Sequence, residues 1–221
     1  MTTIHQRTLA LAAAALLAPL AASATTLLSE DFAGAVGGTY GGAIAGTQFE
    51  VSGGNIDIIG VPGGSPFTCV RFPEGNCLDL VGNVGSGSIV STATFALVAG
   101  TSYTITFGAE LQGYAPDDPH TTSFSVSLGS FAQTLTADGA GAAYSVSFIA
   151  PSSETGRLGF STLVAGDSVH GAVLDHIVLS ATPVPEPASA LLMLAGLGGV
   201  LGLGRRLPRA SRLTRPPRLS A

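Results

Sequence analysis

The sequence predicts an all-β protein: an antiparallel β-sandwich of jelly-roll type, with an N-terminal signal peptide and one C-terminal transmembrane helix. Three observations predict it. Apolar residues alternate with serine and threonine over short runs, glycine-rich turns separate the runs, and charge is sparse. Of the 221 residues only 10 % are charged and 46 % are hydrophobic, with 30 glycines and 13 prolines. Alternation of period two gives a strand one apolar and one polar face. So little charge leaves no polar face for amphipathic surface helices.

The chain opens with MTTIHQRTLALAAAALLAPLAASA, in which Arg7 precedes an apolar stretch from Leu9 to Leu20 and a small-residue site at Ala22-Ser23-Ala24. Residues 1–24 therefore read as a secretory signal peptide cleaved after Ala24. Residues 25–182, about 155 in number, are the usual size of one domain.

Within that domain the candidate strands are Thr26–Phe32, Gln48–Val51, Asn55–Ile59, Cys77–Val81, Ser88–Ala96, Ser102–Phe107, Thr122–Leu128, Phe131–Thr136, Ala143–Ile149, Arg157–Thr162 and Gly171–Ser180. In SYTITF, Tyr103, Ile105 and Phe107 share one face; in SFSVSL, Phe124, Val126 and Leu128 do; in YSVSF, Tyr144, Val146 and Phe148 do. Turns at Leu128–Ser130 and Asp138–Gly141 separate these runs.

All nine basic residues are arginines, and six of them follow a terminal apolar run. Between Thr25 and Thr182, thirteen acidic residues face only Arg71 and Arg157, a formal charge of −11. Such a domain repels phosphate backbones, which excludes nucleic acid as a partner. Cys69 and Cys77 bracket CVRFPEGNC in a chain that leaves the reducing cytoplasm, which favours a disulfide. A closed zinc site needs four ligands, and no histidine lies near the pair in sequence.

Two groups are candidate binding residues. In the loop ELQGYAPDDPH, Tyr114 can stack on a sugar while Asp117, Asp118 and His120 bond its hydroxyls. The alternative is a polar surface loop restricted by Pro116 and Pro119, and the absence of tryptophan removes the ring best suited to sugars. Glu30 and Asp31 on the first strand and Asp175 on the last are candidate calcium ligands if those strands are neighbours, since hard oxygens suit Ca²⁺. The alternative is that these acids discourage edge pairing. His170 and His176 have the even spacing of one sheet face, but two histidines do not make a metal site.

Catalysis has no signature: Gly-x-Ser-x-Gly, His-Glu-x-x-His and the P-loop are all missing. Thirteen scattered acids make some carboxylate pair inevitable, so pairing alone does not indicate a glycosidase. The reading is a protein without enzymatic activity.

At the C-terminus, Ala188–Leu203 is sixteen residues without a charge, about 24 Å long as a helix. Modest bilayer thinning accommodates that length, and Arg205 and Arg206 behind it stay in the cytoplasm. Before it, Pro185 and Pro187 around Glu186 keep the chain extended and accessible to a protease. The order Pro-Glu-Pro, short apolar helix, arginine cluster resembles the PEP-CTERM sorting signal of exported bacterial proteins, also described as an ice-binding-protein-type C-terminal motif. The resemblance implies that residues 183–206 form the signal; residues 207–221 depart from it, since such signals usually stop soon after the basic cluster, and read as a basic cytoplasmic tail. It further implies an exosortase-type membrane enzyme that cuts at or near Pro185-Glu186-Pro187. The precursor then sits in the inner membrane, and the mature protein reaches the cell surface or exopolysaccharide matrix.

Within the domain, FALVAGTSYTITF resembles a strand-turn-strand of carbohydrate-binding-type jelly rolls, and GAVLDHIVLS resembles their closing strand. The expected function is structural or adhesive within an extracellular polysaccharide. A carbohydrate-binding module is the alternative, and a glycan-acting hydrolase is a further one. Ice binding is not expected, because the sequence shows no regular threonine array and no repeat of solenoid period.

Overall fold

The structure, a computed structural model, describes residues 23–60, 69, 75–83, 85–114, 116–163 and 170–183. The expected signal peptide up to residue 22, Pro185–Pro187, the apolar run Ala188–Leu203, Arg205, Arg206 and the basic tail lie outside the described residues. Among the described residues every regular element is a strand: β1 (Thr25–Glu30), β2 (Gly38–Tyr40), β3 (Phe49–Gly53), β4 (Ile56–Ile59), β5 (Cys77–Asp79), β6 (Val81–Gly82), β7 (Gly85–Ser86), β8 (Ser88–Ser91), β9 (Phe95–Leu97), β10 (Thr101–Leu111), β11 (Thr121–Leu128), β12 (Phe131–Asp138), β13 (Ala142–Ile149), β14 (Glu154–Gly156), β15 (Leu158–Thr162) and β16 (Ala172–Pro183).

Two antiparallel sheets carry the architecture. The larger runs β13-β10-β16-β5-β4-β2, with β1 also paired to β16; the smaller runs β12-β11-β15-β8-β3. Their facing surfaces are the apolar sets that the alternation marks. Tyr103, Ile105 and Phe107 of β10 and Phe124, Val126 and Leu128 of β11 are all buried in one core. Phe107 sits at its centre, stacked on Tyr144 at 5.3 Å and edge-on to Phe124 and Phe160 at 6.0 and 5.1 Å. Tyr103 can be buried because its hydroxyl accepts the Val98 N–H at 2.9 Å.

The strand expectations are revised at several points. Ser88–Ala96 is two strands, because the buried Ser91 hydroxyl donates to the Ala93 carbonyl and accepts the Leu158 N–H, which turns the chain out of the smaller sheet. β10 runs on to Leu111, since Ala109 and Leu111 continue its buried face. β2, a Gly-Thr-Tyr segment in a glycine-rich stretch, has no alternation to announce it.

The outer face of the larger sheet holds a second cluster of Ile59, Cys69, Cys77 and Val173, closed by a Cys69–Cys77 disulfide with Cα atoms 6.0 Å apart. At another point the backbone itself is crowded. A Cβ on Gly156 would lie 2.4 Å from the Gly129 nitrogen, in the β11–β12 turn where Gly129 has φ 60°.

Candidate functional site

The most varied chemistry collects where β10 leaves the larger sheet for β11 of the smaller. Gln112 and Gly113 turn the chain, with Gly113 at φ 76°. Glycine is needed there on two grounds: side chains disfavour that φ, and a Cβ would lie 3.0 Å from the His170 ring. Half-buried Tyr114 follows. Its ring centroid is 4.7 Å from that of His120, with the planes 27° apart, and 4.9 Å from that of His170 at 56°.

Asp118 fixes His120, accepting its backbone N–H at 3.0 Å through Oδ1 and meeting its Nδ1 with the same oxygen. The backbone bond from His120 is the main cause holding the Asp118 carboxyl below the ordinary carboxylate range. Asp117 is exposed.

Of the four expected glycan contacts, Tyr114, Asp118 and His120 therefore meet. His170, which sequence spacing placed on one sheet face with His176, instead joins them from just before β16. The two histidines enter different clusters, since His176 lies within β16 at φ 51° and contacts Asp175. A nearly parallel imidazole already covers part of the Tyr114 ring. The surface presented outward is His120, whose side chain is 63 % exposed.

The first and last strands are neighbours, as the calcium reading requires: β1 pairs β16, Glu30 opposite Ile177. The three acids nevertheless do not fit a shared cation. Glu30 turns inward and its two oxygens accept the N–H groups of Phe32 and Gln48 at 2.8 and 2.6 Å. Asp31 accepts the Ala33 N–H at 3.0 Å. Asp175 is fully buried; Oδ1 accepts the His176 N–H at 2.7 Å and Oδ2 lies 2.9 Å from His176 Nδ1. Burial pushes its pKa up to about 6, with the Asp31 charge adding to the rise against the pull of His176. Among the described residues no three His, Cys, Asp or Glu side chains are arranged to hold a metal ion.

One surface escapes sequence reasoning. The register aligns Thr134, Ser125, Ser161 and Ser88 side by side across β12, β11, β15 and β8 on the outer face of the smaller sheet, neighbours about 4.8 Å apart. The Ser88 and Ser161 hydroxyls are 2.6 Å apart. A shallow groove of about 300 Å³ runs over this face, lined by Ser52, Ser88, Val90, Ser127, Gly159 and Ser161. The alternating serines of SFSVSL were the available signal, but their alignment with Ser161 and Ser88 depends on pairings between distant segments.

No curated protein matches the chain. Among solved structures it is similar to the CBM22-1 xylan-binding domain from Paenibacillus barcinonensis Xyn10C, at 10 % identity and TM-score 0.46 over 74 % of this chain and 99 % of that one. It is also similar to the K3 cleaved adhesin domain of Lys-gingipain from Porphyromonas gingivalis, at 18 % identity and TM-score 0.43 over 71 % and 99 %. A third is a cyclase from Fischerella sp. TAU, at 19 % identity and TM-score 0.42 over 73 % and 99 %. Residues 183–210 match the family described as PEP-CTERM protein-sorting motif. The chain therefore carries a PEP-CTERM protein-sorting motif behind its β-sandwich, the mark of an exported protein.

Proposed function

We propose that the protein is a non-catalytic structural or adhesive component of the cell surface or exopolysaccharide matrix, released from a membrane-anchored precursor by an exosortase-type cut within Pro185–Pro187. The observation that carries this reading is the junction at Pro183. β16 ends there, and the sorting motif begins at the same residue. A cut two to four residues further on would free the sandwich with every described strand intact.

Six of the acids serve the fold. Glu30, Asp31, Asp79, Asp118, Asp138 and Glu154 each accept backbone N–H groups that fix turns or join segments. The test is to express the full chain in a host with exosortase-type sorting and to follow size and location by immunoblot. Wild type should yield a shorter surface or matrix form, and Pro185→Ala/Glu186→Ala/Pro187→Ala should remain full-length in the membrane. Equal processing of both overturns the reading.

A second reading, carbohydrate binding, is favoured by the clustering of Tyr114, His120, His170 and Asp118 at one turn between the sheets. On this reading the outward imidazole of His120 and the Asp118 carboxylate bond sugar hydroxyls. Affinity electrophoresis in neutral polysaccharide gels tests it. Retardation lost in both Tyr114→Ala and His120→Ala supports it, and mobility that is the same with and without polysaccharide overturns it.

A further inference from the structure

The two flanks of the sandwich are built differently. On one flank β2 is only three residues long, and β3 carries a bulge between Val51 and Gly53. The outer edge of β3 is partly covered, since the Val51 N–H donates to the Gly42 carbonyl and Ala43 bridges to Glu50. Glu50 there is ion-paired to Arg157 at 2.7 Å. Short, bulged, covered and charged edges are how sheet proteins prevent strand addition.

On the other flank β13 carries none of these devices among the described residues. β12 and β13 are the outermost strands of their sheets, eight residues each, and pair with β11 and β10 without a register shift. Ala142–Ile149 reads AAYSVSFI, without a charge, proline or glycine. Ile149 is 59 % exposed, and the rings of Tyr144, Phe148 and Phe131 are only partly buried against the core. The Ala150 N–H donates to the Thr101 carbonyl. Antiparallel alternation from that bond turns the N–H groups of Phe148, Val146 and Tyr144 toward β10 and those of Ala143, Ser145, Ser147 and Ile149 outward.

We infer that β13 is an association edge for a second copy of this chain, which adds antiparallel across a two-fold axis at Val146. The edge is self-complementary. In that register Ser145 of one copy faces Ser147 of the other, Ala143 faces Ile149, and Tyr144 lies beside Phe148, so outward donors meet outward acceptors and the half-buried rings of both copies cover each other. Such symmetric, isologous contact closes on itself. The nearest charge in sequence, Asp138, lies beyond one end of the strand and is occupied with the Ala140 and Gly141 N–H groups at 3.0 and 3.1 Å. The opposing force is the domain's formal charge of −11, which makes pairing salt-dependent. The inference goes beyond the proposed sorting and surface role and does not depend on it.

The test is sedimentation of the oxidised full chain in a nonionic detergent over a range of concentrations, at about 0.1 M and about 1 M salt, where screening lengths are about 10 and 3 Å. A reversible dimer that tightens at high salt is expected. Ser147→Pro removes an outward donor and the Ser147–Thr104 hydroxyl bond while leaving the backbone bonds to β10, and Ser145→Lys places a charge on the edge; each should weaken the dimer by at least about tenfold. Ser52→Lys, on the opposite flank, should leave it unchanged. In the wild type, amide hydrogen exchange at Ser145 and Ser147 should slow as concentration rises. A monomer throughout, a dimer indifferent to Ser145→Lys, or exchange independent of concentration overturns the inference. Should Ser147→Pro fail to fold, Ser145→Lys and the exchange measurement decide.

Discussion

The carboxylate of Asp175, fully buried in β16, lies 2.9 Å through Oδ2 from Nδ1 of its neighbour His176, whose backbone stands at φ 51°. The pKa of this acid is raised from 3.8 to about 6, chiefly by burial. The fold therefore holds the proton more tightly than the unfolded chain does. The stabilisation linked to that proton is complete below about pH 3.8 and is lost as pH rises through about 6.

Asp175→Asn should accordingly stabilise the protein at pH about 8, by up to about 3 kcal/mol, and have little effect at pH about 3.5. Urea midpoints at the two pH values check this. A variant that is destabilised at the higher pH would show that the charge itself is needed.

Gly156→Ala should cost about 1–3 kcal/mol, because its Cβ would meet the backbone of Gly129 at 2.4 Å and no flexible side chain can yield. Gly41→Ala, with no atom within 4 Å of its Cβ, is the control and should leave the melting temperature nearly unchanged.

Phe107→Ala should cost about 3–5 kcal/mol, since it opens a cavity among Tyr144, Phe124 and Phe160. Phe107→Leu should lose less. Denaturant midpoints rank the pair, and equal losses would mean that ring geometry, rather than volume, sets the core.

Replacing both Cys69 and Cys77 by alanine should cost about 2–3 kcal/mol, the chain-entropy value for so short a loop. Reduction of the wild type by dithiothreitol should lower its melting temperature to near that of the double variant.

Much of this architecture was legible locally. Alternation found the strands around Tyr103, Phe124 and Tyr144 and their buried faces, because period two is a property of neighbours in sequence. What the sequence did not show comes from long-range pairing. His170 reaches Tyr114 because β16 lies beside β10 with Ala172 opposite Leu111, which brings the residue before β16 up to Gly113. Composition singled out Tyr114, Asp118 and His120, but nothing in the run GDSVHG indicates that register. The acids show the same limit: Glu30 could be placed beside the last strand, but not seen to spend both oxygens on the Phe32 and Gln48 amides.

The position of β16 also constrains the order of assembly. Among the described residues it is the last strand made and yet an interior one, pairing with β10, β1 and β5. A nascent chain cannot complete the larger sheet until residues 172–183 have emerged, the segment directly before the sorting motif. In a chain exported from its N-terminus, the larger sheet thus stays incomplete until the segment next to the sorting motif has followed the rest across.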